Sequence, residues 1–518
     1  MRARYHRIEA AVGIVGLTLF VAYFGLLCFT YPWKGDIQRH SAAVASLYID
    51  FFHPPHEAVA APGYTSDVHT PYIVAVAAFG RLLHVTPYRA LQLAGVLNLV
   101  LYAWAIWFFF RTFSIVRESW LPPILFLVVS LCMRQGVYWW ASETSFQSLQ
   151  AIQAYPSLFA WGLALAAFQL AQRSAQQVGW RLVLLAGLVW TLLLSHNITA
   201  SWVVGIIGVI GLAEVIKSKG ASPARTRVLL LYAATAAGAV LTYVWPYFDI
   251  MGSSGLLQFQ EGSEFADHPF RDMAPLYVLA AVASVWLLRA RQHTVIMAGF
   301  AATWLALQVW RHFGFSYGNR YAFFQAFFAQ VLVAEVAAIG LLQVFQQWTL
   351  VPDAQKLGAK LRWLEPVFAV AAIALSLTAP IMRGPVAGFR TLLALPSAHD
   401  AYYQRLGLLP RRLGRHDVVL MPFSYSTWDV ASITGARVVI APFAYRLPDF
   451  AQRVEDARRF FDTRSDSQVR AEIIERYKVS KVLLTPGYLD LAGELGPHEG
   501  VHTREGLWIL VDASGSLR

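Results

Sequence analysis

The sequence predicts an α-helical polytopic membrane protein, with about 11–13 transmembrane helices and a small C-terminal α/β soluble domain. Two observations carry that reading. Of 518 residues, 57% are hydrophobic and only 14% are charged, against roughly 25% charged in an ordinary soluble domain. The charge is also uneven, with 40 Lys, Arg, Asp and Glu residues in the first 382 positions and 33 in the remaining 136. A disordered chain, a coiled coil and a typical cytosolic enzyme are excluded. The shift in composition divides the chain into a transmembrane domain, residues 1–382, and an α/β domain, residues 383–518.

Apolar runs suited to crossing a bilayer start near Ala10, Tyr72, Arg89, Trp120, Tyr155, Arg181, Thr199, Val228, Met273, Thr294, Tyr321 and Trp363. Trp33, Trp120, Trp180 and Trp363 stand at their ends, as interfacial anchors do. The first run is too long for a signal-peptide core and lacks a small-residue cleavage site, so it reads as a retained helix. Basic residues orient the spans. Arg2, Arg4 and Arg7 place the N-terminus inside, and so do the loops with Lys217, Lys219, Arg225 and Arg227, with Arg289 and Arg291, and with Lys356, Lys360 and Arg362. The last span then delivers the tail outside, which requires an odd number of crossings. Either the short Tyr72–Leu83 segment does not cross, giving eleven, or Val137–Ala154 also crosses, giving thirteen.

The net charge of +11 is absorbed by these topogenic arginines, and no nucleic-acid partner is implied. Cys28 and Cys132 lie in apolar stretches and indicate no disulfide framework. In the tail, Asp417–Met421, Arg437–Ala441, Lys481–Thr485 and Leu507–Val511 read as strands. Phe450–Phe461 and Ser467–Tyr477 read as helices, with Asp449 and Asp466 as N-caps. No phosphate-binding glycine motif follows a strand, so no nucleotide site is expected there.

The outer loops on this topology are Tyr31–Thr70, the turn at His196 and Asn197, Phe248–Asp272 and Arg311–Arg320. They hold most of the few acids of the membrane part. In the first loop, Asp36 and His40 are four residues apart, on one face of a helix that starts near Asp36. A plain N-cap is an equally good local reading of Asp36. The loop also holds His53, His56, Glu57, Asp67 and His69, at spacings that match no strong metal pattern.

Several features resemble the GT-C superfamily of multi-pass glycosyltransferases that use polyprenyl-phosphate sugars, the mannosyltransferase-like members included. They are Gly35-Asp36 with His40 after the first span, a long amphipathic outer loop, and Thr70-Pro71-Tyr72 opening the next span. Ser195-His196-Asn197 at an outer helix end and a tail with Arg459-Phe460-Phe461 and Tyr477–Leu483 add to it. The resemblance implies a polyprenyl-phosphate sugar donor and a glycan, lipid or protein acceptor in the cell inner membrane, with an extracytoplasmic tail. It points to Asp36 as the base, and Asp67 is the second candidate. No D-x-D is present, and no cofactor or divalent metal is indicated.

The leaving phosphate needs fixed cations. Lys34, Arg39, Arg271, Arg311 and Arg320 are the candidates, arginine suiting phosphate through paired hydrogen bonds. For Arg311 and Arg320 the alternative is an interfacial anchor. His40, His69 and His196 are candidate substrate contacts, with a solvated loop or a satisfied helix end as the bland readings. Glu143, among Trp139 and Trp140, is a candidate sugar contact or part of an aromatic belt. A transporter or flippase, and a non-catalytic scaffold, are the rival classes. A transporter would carry internal repeats and mid-membrane charges.

Overall fold

The computed structural model describes residues 2–30, 36–61, 63–64, 66–132, 146–248, 274–289, 294–313, 320–344, 367–371, 404–424, 426–442, 444, 447–495, 497–503 and 506–513. The chain is predominantly helical. The helices are α1 (Arg2–Thr30), α2 (Ile37–Ile49), α3 (Pro71–Leu82), α4 (Pro87–Phe113), α5 (Leu121–Cys132), α6 (Phe146–Ile152), α7 (Pro156–Gln176), α8 (Arg181–Ser195), α9 (Asn197–Lys217) and α10 (Ser222–Val240). After them come α11 (Ala274–Arg289), α12 (Thr294–His312) and α13 (Tyr321–Val344). The tail adds β1 (Val418–Leu420), α14 (Ser426–Thr434), β2 (Arg437–Val438), α15 (Phe450–Phe461), α16 (Ser467–Tyr477), β3 (Lys481–Leu484), β4 (His498–Thr503) and β5 (Gly506–Asp512). The fold class expected from the sequence is thus the observed one.

Two compact units form. The first is Met1–Cys28, Gly95–Val244 and Leu256–Ala394. Among the described residues, five helical stretches are long and apolar enough to cross a membrane: Arg7–Thr30, Pro87–Phe113, Asn197–Lys217, Ser222–Val244 and Tyr321–Leu342. Shorter apolar helices accompany them, among them Arg181–Ser195, Leu276–Leu288 and Val295–Trp310. The α13 stretch Tyr321–Leu342 is buried over its whole apolar window, as expected of a helix that is apolar on every side. It packs against α5, α11 and α12. An aromatic cluster surrounds it, with Trp202 stacked on Phe324 at 4.4 Å between ring centroids and Trp161 beside Phe327 at 5.4 Å. Its buried polar residues are satisfied from neighbouring helices. Tyr277 donates to Gln325 at 3.3 Å and Ser130 to Gln330 at 3.3 Å.

The second unit is Phe29–Ala94, Trp245–Gly255 and Leu395–Arg518. It therefore groups the first loop with the tail. The tail sheet has five strands in the order β2-β1-β3-β5-β4. β1 pairs in parallel with β2 and β3, while β3–β5 and β4–β5 are antiparallel. The four strands expected from the sequence are present. β4 was not expected, because His498–Thr503 is a polar edge strand with one buried position, Val501, and lacks apolar alternation. α15 and α16 occupy the residues expected of them. Asp466 caps α16 by accepting from the Val469 amide at 2.8 Å. Asp449 stands at the N-cap of α15 without a cap bond, because its carboxylate takes the Arg453 guanidinium at 2.9 Å.

The first loop extends this sheet. Val59 bridges Val438 in parallel, the Ala60 amide donates to Val438 at 2.9 Å, and the Val438 amide donates to Ala58 at 2.8 Å. Ala42, Ala58, Val59 and Ala61 then share a core with Val419, Trp428, Val438 and Trp508.

α3 also belongs to this unit. Its 12 residues span about 18 Å, well short of the ~30 Å hydrocarbon core. It lies against α2, where a Cβ on Gly80 would clash with the Tyr48 hydroxyl. Arg81 donates to the Leu47 carbonyl at 3.4 Å and Tyr48 to the Val85 carbonyl at 3.0 Å. Residues 137–145 of the stretch Val137–Ala154 lie outside the described residues.

Candidate active site in the first loop

α2 begins immediately after Asp36, with the apolar residues Ile37, Ala43, Val44 and Leu47 turned inward. Asp36 itself is exposed. It occupies the N-cap position with helical backbone angles and makes no side-chain cap bond. The local explanation for an aspartate at this position is therefore not realised as a hydrogen bond. His40, one turn on, is half-buried, and its amide donates to the Asp36 carbonyl at 3.0 Å.

Arg39 is the hub of the loop. Its Nε donates to Glu57 Oε1 at 3.1 Å and its Nη2 to Asp67 Oδ1 at 2.7 Å. The indole of Trp428, on α14 of the tail, lies 5.7 Å from its guanidinium carbon. Burial disfavours the Arg39 cation, but Asp67 and Glu57 outweigh it and hold the group firmly protonated. Both carboxylates compensate this arginine. Asp67, the second candidate base, is one of those partners.

The Glu57 side chain is fully buried. Burial alone would push its carboxyl up. The positive charges of His56, Arg39 and His69 and a hydrogen bond from Ser66 reverse that and hold it at about 2. Burial pushes the His69 imidazole down to about 4, against the pull of Glu57. His69 Nε2 lies 2.8 Å from Ser46 Oγ, which donates to the Ala43 carbonyl at 2.8 Å. The Trp245 indole donates to the His69 carbonyl at 3.0 Å. His69 is thus fully buried. Among the described residues, no group of three His, Cys, Asp or Glu side chains is arranged to hold a metal ion.

In the membrane unit, His196 caps α9. Its Nδ1 lies 2.7 Å from Thr199 Oγ1, the satisfied helix end named above as the bland reading. Thr199 is fully buried. Arg320, at the start of α13 and half-buried, is near enough to His196 for their charges to repel. Next to it, Tyr321 pairs with Ser201 at 2.8 Å and stacks on Trp310 at 5.8 Å. Lys34, Glu143 and Arg271 lie outside the described residues, as does the side chain of Arg311.

The sequence reading had set His56 and Glu57 aside as a non-matching metal pattern, and it missed Trp428 and Arg453. Burial of an acid beside an arginine 18 residues away leaves no local periodicity to read.

No family model matches the chain, and no curated protein matches it in sequence. Solved structures do match. ArnT from Cupriavidus metallidurans, bound to undecaprenyl phosphate, aligns over 100% of this chain and 99% of its own at a TM-score of 0.55 and 14% identity. The oligosaccharyltransferase AglB from Archaeoglobus fulgidus, in complex with an inhibitory peptide and a dolichol-phosphate, aligns over 98% of this chain and 75% of its own, at 0.54 and 12%. The arabinofuranosyltransferase AftD from Mycobacteria covers 98% of this chain and 40% of its own, at 0.52 and 13%. From its first helix to the tail sheet, the chain has the fold of the GT-C membrane glycosyltransferases.

Proposed function

We propose that the protein is a glycosyltransferase of the cell inner membrane with an extracytoplasmic tail. It moves a sugar from a polyprenyl-phosphate carrier to a glycan, lipid or protein acceptor, with Asp36 as general base. The observation that carries the reading is the whole-chain likeness to structures holding undecaprenyl phosphate and dolichol-phosphate, together with an exposed Asp36 not tied into a helix cap.

In the reaction, the Asp36 carboxylate takes the proton of an acceptor hydroxyl. The hydroxyl oxygen bonds to the anomeric carbon, the carbon–oxygen bond to phosphate breaks, and the lipid phosphate leaves with the electron pair. A positioned carboxylate of this kind contributes about 10²–10⁴-fold. Arg320 is the described cation assigned to the phosphate, which it can grip with two parallel hydrogen bonds. Lys34, Arg271 and Glu143 keep the substrate-binding roles assigned from the sequence. No divalent metal takes part in this scheme.

The test is Asp36→Asn in the purified full chain, assayed with a panel of undecaprenyl-phosphate-linked hexoses and pentoses. Loss of transfer by at least about a hundredfold, with unchanged thermal unfolding, is expected. Full retention of transfer overturns the assignment of the base.

A further inference from the structure

We propose that an anionic phospholipid binds at the shared end of α4 and α7: Arg111 and Arg173 take its headgroup phosphate, and one acyl chain lies along an exposed apolar stripe of α4. The site is separate from the transfer reaction and does not depend on Asp36.

Helix length and packing place the two arginines. α4 has 27 residues and spans about 40 Å. The hydrocarbon core of a bilayer is about 30 Å thick, and about 40–45 Å with its headgroup layers. Arg111 stands in the last turn of α4 and Arg173 in the last turn of α7. The two helices run side by side in the same direction. A Cβ on Gly162 would meet Leu101 at 2.7 Å, Gln169 donates to the Ala105 carbonyl at 3.4 Å, and the Arg173 guanidinium lies 4.9 Å from the Phe108 ring. Both arginines therefore reach the same headgroup layer.

Their donors are open to a ligand. Both residues are exposed, and among the described residues neither guanidinium has an ion pair or a hydrogen bond. Arg111 lies over Trp107 at 5.8 Å and Arg173 over Phe108 at 4.9 Å, and those two rings are 5.6 Å apart. A ring face attracts the cation but leaves N–H groups for phosphate oxygens. An arginine that only closed its helix would turn its donors to the last carbonyls, and these two face rings instead.

The adjoining surface suits a chain. Leu97, Val100, Trp104, Phe108 and Arg111 follow one another at three- and four-residue steps, so they form one stripe of α4. Leu97, Val100 and Trp104 are 55%, 48% and 47% exposed, and Trp104 packs on Phe108 at 5.2 Å. From Arg111 to Leu97 the stripe runs about 21 Å, and an acyl chain crosses one leaflet, about 15 Å of hydrocarbon. A cationic end joined to an apolar stripe of that length selects a lipid over a free phosphate. Uncompensated positive charge selects an anionic lipid over a zwitterionic one.

The experiment is native mass spectrometry of the detergent-purified full chain, titrated with phosphatidylglycerol, with phosphatidylcholine of the same acyl chains, and with glycerol 1-phosphate. One phosphatidylglycerol per chain is expected to bind at least about tenfold more tightly than phosphatidylcholine. Glycerol 1-phosphate is expected not to displace it at equal concentration. Arg111→Gln combined with Arg173→Gln is expected to weaken phosphatidylglycerol binding by about tenfold or more and to leave phosphatidylcholine binding unchanged. Where thermal unfolding shows that the double variant does not fold, Arg173→Gln alone is expected to weaken binding in the same direction. Equal binding of the two lipids by the parent overturns the proposal, as does parental phosphatidylglycerol binding in the glutamine variant. Either result reduces the two arginines to interfacial anchors. Displacement by glycerol 1-phosphate at equal concentration assigns the arginines to a soluble phosphate and overturns the lipid.

Discussion

The guanidinium of Arg39 donates to the carboxylate of Asp67 at 2.7 Å across 28 residues of chain, and its other bond reaches the buried Glu57. The bond to Asp67 is partly open to solvent, whereas Glu57 has no exposed side-chain surface. Removing Arg39 therefore costs more through Glu57 than through Asp67. Arg39→Met takes one partner from the buried Glu57 carboxylate, which keeps His56 at 3.1 Å, and is expected to destabilise the protein by about 1–3 kcal/mol. Adding Glu57→Gln is expected to recover part of that loss. Thermal unfolding of the purified protein measures both, and an Arg39→Met variant as stable as the parent contradicts the buried pairing.

The same cluster gives stability a direction with pH. His69 is held at about 4 in the folded chain, below its ordinary value of about 6.5. The unfolded chain therefore binds that proton first, and stability falls as pH drops from 6.5 towards 4. Glu57, held at about 2, adds a second fall from about 4.5 towards 2, in the same direction. The melting temperature should be highest at neutral pH and decline on acidification. His69→Asn should flatten the upper part of the decline, and a slope unchanged by that substitution counts against the buried imidazole.

Arg453 joins three segments of chain. It is 6% exposed and bonded to Asp449, Ala60 and Val439. Arg453→Met leaves the buried Val439 carbonyl and the part-buried Ala60 carbonyl short of a donor, at a cost of about 1–3 kcal/mol. Limited proteolysis should then cut more readily between residues 53 and 66, the stretch that Arg453 holds against the sheet. Equal resistance in the two proteins would show that the sheet edge alone holds this stretch.

For Arg320, the proposed role concerns the lipid phosphate. Loss of its charge-assisted hydrogen bonds, at about 1.5–3 kcal/mol, corresponds to a rise of roughly tenfold to a hundredfold in KM for the polyprenyl-phosphate donor. Arg320→Lys is expected to restore little, because a point charge does not reproduce the paired donors. A KM unaffected by Arg320→Ala assigns the residue to helix-end packing instead.

Local pattern was enough for the elements whose stability is itself local. The long apolar runs read as spans, α15 and α16 read to the residue, and the cap at Asp466 was legible because a helix N-terminus is satisfied within three residues. Asp36 was also legible, since its position after the first span needs no partner to be noticed. The remainder depended on distant chain segments. The Tyr72 run is visibly short in the sequence, and what the fold adds is its packing on α2. β4 is polar because it lies at an edge, and Val59 bridges the sheet only because β2 offers it amides and carbonyls. The partners of Arg39 are chosen the same way, from residues 57, 67 and 428. A buried charge must be compensated by whatever the fold brings within reach, and that choice lies in the packing of the loop on the tail.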